Sequence, residues 1–112
     1  MNLADYQVLA MRTAKDLPHD KAVIHILAGL AGEFGELADA IKQAKVYGAQ
    51  YDMTNIAEEL GDLLWFTAYA ANEFGMSLET IGRLNIDKLR VRYPDCYTDE
   101  LAKARLDKIG AQ

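Results

Sequence analysis

A single helical segment of about 27 residues, from Asp20 to about Tyr47, would rise about 40 Å at 1.5 Å per residue, whereas a compact globule of 112 residues has a radius of gyration near 13 Å. A chain that carries such a helix is expected to be elongated or to assemble with further copies. The bounds follow from local chemistry. The residue before Pro18 is pushed out of the helical region, Asp20 can cap the start, and Gly48 suits a left-handed stop.

The rest of the sequence also reads as helix, because apolar residues recur at helical spacing and β-branched residues are too scattered for alternating strands. A first helix is expected from about Leu3 to Lys15, with Leu3, Tyr6, Ala10, Thr13 and Leu17 as its stripe. Asp52 or Thr54 caps a third helix that runs to Glu73, with Gly75 beyond it. Ser77 caps a fourth, with Glu79 complementing its dipole, and Pro94 ends it. Thr98-Asp99-Glu100 begins either a short last helix or a mobile tail. The run from Leu63 to Ala71 is apolar around most of its circumference, and one small bundle seldom covers every face of such a helix. The expected fold is therefore all-α, a four-helix-bundle-like module with long antiparallel helices, oligomeric, and a single domain over residues 1–112.

Composition narrows the functions. The net charge is −5 and the basic residues form no block, so no footprint for a nucleic-acid polymer is present. Cys96 is the only cysteine, which excludes an intrachain disulfide and suits a reducing compartment. Neither a signal-like N-terminus nor a stretch approaching a membrane span is seen, so no membrane partner is expected.

The informative residues are acidic. Glu33 and Glu36 lie on the second helix and Glu59 and Asp62 on the third, each pair spaced i, i+3 and so on one face. Antiparallel neighbours would bring the two pairs to a common point, where four carboxylates repel unless cations or a shared proton intervene. Oxygen-only ligands select a hard ion, Mg²⁺ with Mn²⁺ as substitute. The plainer reading is four solvated helix-face acids, with Glu58 and Asp39 extending the same faces. Gly29, Gly32 and Gly35 sit inside the second helix at about 1 kcal/mol each against alanine. Either close helix packing or an approaching ligand should offset that.

The fourth helix carries Asn85, Lys88 and Arg92 on one face, beside an apolar stripe of Leu78, Gly82, Ile86, Leu89 and Tyr93. This donor stripe either neutralises the acids or holds phosphates, arginine by its planar fork and lysine as a point charge. His19 and His25 lie in no Glu-x-x-His motif, so a ferritin-like di-iron site is not indicated, and His25 is expected to pack or cap. Trp65, Tyr69, Phe34 and Tyr47 are expected to be core residues before base-stacking ones.

The blocks Gly32-Glu33-Phe34-Gly35-Glu36-Leu37, Glu58-Glu59-Leu60-Gly61-Asp62-Leu63-Leu64-Trp65 and Asn85 through Pro94, in that order, resemble the MazG-like family of all-α nucleoside triphosphate pyrophosphohydrolases. That family's signature is ExxE, a spacer, then ExxD. The resemblance covers roughly residues 20–97. It implies a homodimer or dimer of dimers that hydrolyses (deoxy)nucleoside triphosphates to monophosphate and pyrophosphate by water attack at the α-phosphorus. By position it makes Glu33, Glu36, Glu59 and Asp62 the catalytic Mg²⁺ ligands and assigns substrate phosphates to Asn85, Lys88 and Arg92. One acid must be partly free of metal to accept the water's proton, and Glu33 is the choice.

Relatives within the resemblance include dimeric dUTPases, though this chain is short for one. The reading from another class is a non-catalytic helical nucleotide-binding or interaction module. The complete acidic set argues against it. The expected location is the cytoplasm of a bacterial cell or of a phage-infected host.

Overall fold

The computed structural model describes residues 1–109 and is all-α, with no strand among the described residues. The helices are α1 (Leu3–Met11), α2 (His19–Lys45), α3 (Met53–Glu73), α4 (Leu78–Arg92), α5 (Asp99–Ala104) and α6 (Leu106–Ile109). They fall into two compact units, residues 1–78 and the segment from Glu79 onward. No helix among the described residues is long and apolar enough to cross a membrane.

In the first unit α2 and α3 run antiparallel. His19 meets Glu73 and Phe74, His25 meets Phe66 and Tyr69, and Glu33 meets Glu59 and Asp62. The core is built from Ala22, Ile26 and Tyr69, onto which Met11, Leu17, Leu30 and Trp65 pack. Alanines at the crossing let two long helices approach closely. The α2 span of 27 residues matches the length expected from sequence.

Three boundaries differ from the sequence reading. α1 stops at Met11, short of Lys15, because the Ala10 carbonyl is claimed by other donors: the Thr13 hydroxyl at 2.7 Å, the Thr13 amide at 3.0 Å and the Trp65 indole N–H at 3.2 Å. Asp20 does not cap α2. The helix starts at His19, behind Pro18 and two residues earlier than an Asp20 cap would have it, and the Asp20 carboxylate accepts from its neighbour's amide, Lys21, at 2.9 Å. α2 ends at Lys45, and the turn beyond it closes through Gly48, whose φ of +75° is open to glycine at little steric cost. At α3 the Asp52 side chain is the cap, accepting from the Asn55 amide at 3.0 Å.

The glycines of α2 divide into two kinds. A Cβ at Gly29 would strike the Phe66 ring, while one at Gly32 or Gly35 would meet nothing within 4 Å. Close packing therefore accounts for Gly29 alone. Phe66 is held edge-on by Trp65 and His25, with ring centroids 4.9 and 5.5 Å away, so it cannot swing aside freely. Gly29→Ala should lower stability by about 1–3 kcal/mol through overpacking. Gly32→Ala should raise it by up to about 1 kcal/mol through helix propensity. Melting temperatures of the two variants moving in the same direction would contradict this division.

In the second unit, Thr98 caps α5 by accepting from the Leu101 amide at 3.1 Å, so of the two readings of this segment the short helix holds, with α5 and α6 following from Asp99 to Ile109 on either side of Arg105. On α4 the expected apolar stripe is incomplete. Leu89 and Tyr93 are half-buried, but Ile86 is 47% exposed.

Candidate functional site

The antiparallel register of α2 and α3 puts the two acidic pairs against each other one turn at a time. Glu33, Glu59 and Asp62 each offer a carboxylate oxygen within 4.8 Å of the others. Glu59 is buried, Glu33 half-buried and Asp62 exposed, so the cluster opens from the helix interface toward solvent. Glu36 stands outside this trio, yet it lies within hydrogen-bonding reach of Glu59. Glu36 and Glu59 also line an open cavity of about 450 Å³ with Gly32, Gly35, Asp39 and Asn55. Gly32 and Gly35 thus form part of the cavity wall where side chains would otherwise project.

The Glu59 carboxyl is pushed up from 4.5 to about 7, first by its hydrogen bond with Glu33, then by burial, the Glu36 hydrogen bond and the two neighbouring charges. Two carboxylates can be hydrogen-bonded only by sharing a proton, which is one of the two solutions the sequence allowed. The other is a cation. Glu33 Oε2 and Glu59 Oε2 are both buried and have no hydrogen-bond partner among the described residues. Buried carboxylate oxygens are ordinarily satisfied, and the donor set here is all hard oxygen, so these residues fit a hard divalent cation.

A raised acid pKa favours the neutral form in the fold. The stabilisation from Glu59 is complete below pH 4.5 and is lost as pH rises through about 7. Without divalent cations, the melting temperature of the protein should therefore fall across that window relative to Glu59→Gln, which carries no titrating proton. A divalent cation should remove the difference by favouring the charged form. Parallel melting curves for the two proteins from pH 4.5 to 8 in chelator would contradict the shared proton.

Sequence reasoning left two neighbours out of the site. Asn55 lies one turn before Glu59 on the same face of α3, a spacing that would have found it. Tyr6 of α1 faces Asp62, and burial followed by that charge raises its hydroxyl's pKa. Nothing local to Tyr6 announces this contact. Of the aromatic residues, Tyr69 is core at 3% exposed, and Trp65 is tied by its indole N–H to the Thr13 hydroxyl at 2.8 Å. Phe34 and Tyr47 are not core, each being 65% exposed. His25 packs as expected, edge-on to Phe66 and Tyr69.

In the second unit, Asn85 and Lys88 are exposed on α4. Arg92 is engaged: its Nε donates to Asp107 Oδ1 at 2.6 Å and its second guanidinium nitrogen to Oδ2 at 3.1 Å. The contact raises the arginine pKa and holds the Asp107 carboxyl below its ordinary value.

Residues 22–97 match the model of the MazG nucleotide pyrophosphohydrolase domain, a span that takes in the acidic pairs of α2 and α3 and the whole of α4. The chain is also similar to the Gene 37 protein of Mycobacterium phage L5, 30% identical over 101 residues that cover 82% of this chain and 89% of the relative. No solved structure is a significant match. With Glu33, Glu59 and Asp62 brought together in an all-α fold and the family model spanning both acidic pairs, the chain belongs to the MazG nucleotide pyrophosphohydrolase domain family.

Proposed function

We propose that this protein hydrolyses (deoxy)nucleoside triphosphates to nucleoside monophosphate and pyrophosphate, acting as one module over its length and using Glu33, Glu36, Glu59 and Asp62 to hold Mg²⁺. The observation that carries the reading is the pair of buried, unpartnered oxygens, Glu33 Oε2 and Glu59 Oε2, inside an acidic cluster of this family's signature. Bound Mg²⁺ supplies positive charge against the phosphate oxygens and acidifies nearby water.

The chain's own residues do the rest. Glu33 accepts the proton of the attacking water, whose oxygen forms the new bond to the α-phosphorus. The bond from the α-phosphorus to the bridging oxygen breaks, and pyrophosphate leaves with that oxygen and its electron pair. Asn85, Lys88 and Arg92 stabilise the charge on the departing group, as electrostatic positioning dominates phosphoryl transfer. Glu59 would hold a cation in its ionised form, since a carboxylate and not a carboxylic acid is the ligand.

A dimer or dimer of dimers is part of the proposal, and α2 supports it. Ile24, Leu27, Ala31, Phe34, Ala38 and Ile41 follow one another at alternating steps of three and four, and all are exposed. Met53, Ala57, Leu60 and Leu64 repeat the pattern on α3. Such a seam is the packing surface of a helix pair that has further helices to meet. No nucleic-acid polymer and no membrane is a partner in this reading, and the nucleotide pool of a bacterial or phage-infected cytoplasm supplies the substrate.

The test is pyrophosphate release from each of the common ribo- and deoxyribonucleoside triphosphates, dUTP included, with Mg²⁺, with Mn²⁺ and with chelator. Release that needs the metal is expected. No release from any substrate with metal present would leave the non-catalytic module as the better account.

A further inference from the structure

The turn between α2 and α3 carries two exposed rings that the acidic cluster does not explain. Tyr47 is 65% exposed and Tyr51, across the turn, 45%. Each has a lysine from the last turn of α2 above it. Lys42 Nζ lies 5.7 Å from the centre of the Tyr47 ring, and Lys45 Nζ 5.4 Å from that of Tyr51. The chain between the rings folds back on α2: Gly48 takes its left-handed turn there, and the Ala49 amide donates to the Gln43 carbonyl at 3.1 Å.

An ammonium attracted to the electron-rich face of a ring restrains that ring, and a restrained ring loses less freedom when a planar ligand stacks on it. Phe34 is equally exposed but belongs to the apolar seam along α2. The tyrosines stand elsewhere. The acidic cavity extends toward the turn as far as Asp39 on α2 and Asn55 on α3. Lys42 follows Asp39 by three residues and so shares its face of α2, while Tyr51 precedes Asn55 by four. From Glu36 to Lys42 the helix rises about 9 Å, comparable with the reach of a nucleoside from its own phosphate.

We propose that Tyr47 and Tyr51 form the stacking platform for the nucleobase of the substrate, at the turn end of the α2–α3 hairpin. The proposal rests on the nucleotide reading of the acidic site. Stacking tolerates any base, because every base has a π face, so the platform raises affinity for nucleotides as a class and leaves the choice among bases to other contacts. It differs from a phosphate grip, in which Lys42 and Lys45 hold the triphosphate, and from a contact between copies, in which a second chain covers the rings.

Two probes separate the three in Mg²⁺-dependent binding followed by calorimetry. Inorganic tripolyphosphate has phosphates and no base. The α,β-methylene analogues of ATP, GTP, CTP and UTP have both and resist cleavage at the α-phosphorus. Wild type, Tyr47→Leu, Tyr51→Leu and Tyr47→Phe are compared, with melting temperature and light scattering on the same preparations. Wild type should bind the analogues more tightly than tripolyphosphate. Each leucine variant should bind the analogues about tenfold more weakly, the order of one lost base–aromatic stack, with tripolyphosphate affinity, melting temperature and assembly unchanged. Tyr47→Phe keeps the ring and should match wild type. With a hydrolysed nucleotide the loss should appear in KM and leave kcat nearly unchanged, because stacking is made equally in the ground and transition states.

Equal weakening of both probes in the leucine variants would overturn the platform in favour of the phosphate grip. A smaller assembly in either leucine variant would overturn it in favour of a contact between copies. Unchanged analogue affinity in both, with tripolyphosphate still bound, would overturn the platform alone and leave the acidic site standing. No metal-dependent binding of either probe by the wild type would overturn it together with the nucleotide reading.

Discussion

Asp62→Asn and Glu36→Gln should each lower kcat/KM by roughly a hundred- to a thousandfold, the largest losses expected of any single substitutions in this chain. Both changes keep the side-chain shape and remove a negative oxygen. A divalent cation contributes several kcal/mol to stabilising transition-state charge, and each 1.4 kcal/mol is a factor of ten in rate. Asp62 supplies one of the three mutually close carboxylates, so its loss should appear first as weaker metal binding that high Mg²⁺ partly rescues. Glu36 lies on the cavity wall beside Glu59, and its loss should be rescued less by metal. Both variants should melt higher than wild type in chelator, because each removes a charge that disfavours ionisation of its neighbours. Near-wild-type turnover in both would remove the acidic site from the account.

Leu27→Glu should convert an assembly of two or more chains into a monomer of 12.5 kDa at micromolar concentration. Leu27 is 64% exposed in the middle of the outward seam of α2, away from the acidic pairs. Burying a leucine side chain contributes about 1.5–3 kcal/mol, and a two-fold interface uses every residue twice. One substitution therefore removes about 3–6 kcal/mol before any penalty for burying the new charge, a loss of roughly two to four orders of magnitude in dimer affinity. Light scattering that shows the wild type already monomeric, or Leu27→Glu still assembled, would contradict the seam as the contact between copies.

The sequence was readable where one local rule decided the outcome. Pro18 and Gly48 bracket α2 to within three residues of its ends, and three of the four paired acids needed only an antiparallel partner to come together. The all-α class followed from periodicity alone. It was unreadable where a distant group intervened. α1 ends early because the Trp65 indole reaches back to Ala10 from 55 residues away, and no property of residues 11–15 reports that.

The outward seam was hidden for a different reason. α2 has apolar residues on two faces, Ala22, Ile26 and Leu30 inward and Ile24, Leu27 and Phe34 outward, and superposed patterns blur each other. The three interior glycines looked alike in sequence, yet only Gly29 has a neighbour that requires it to be glycine. Arg92 was legible as one of a donor stripe, but its partner was not. Asp107 reaches it only because Arg105 takes a left-handed turn that its residue type does not favour.

The central claim is that water attacks the α-phosphorus of a nucleoside triphosphate at this acidic site. It is tested most directly by running the hydrolysis in water labelled with heavy oxygen and weighing both products. The account predicts one labelled oxygen in the nucleoside monophosphate and none in the pyrophosphate, with no conversion in Asp62→Asn above its residual rate. Label found in pyrophosphate or orthophosphate, or conversion by Asp62→Asn at the wild-type rate, would contradict it.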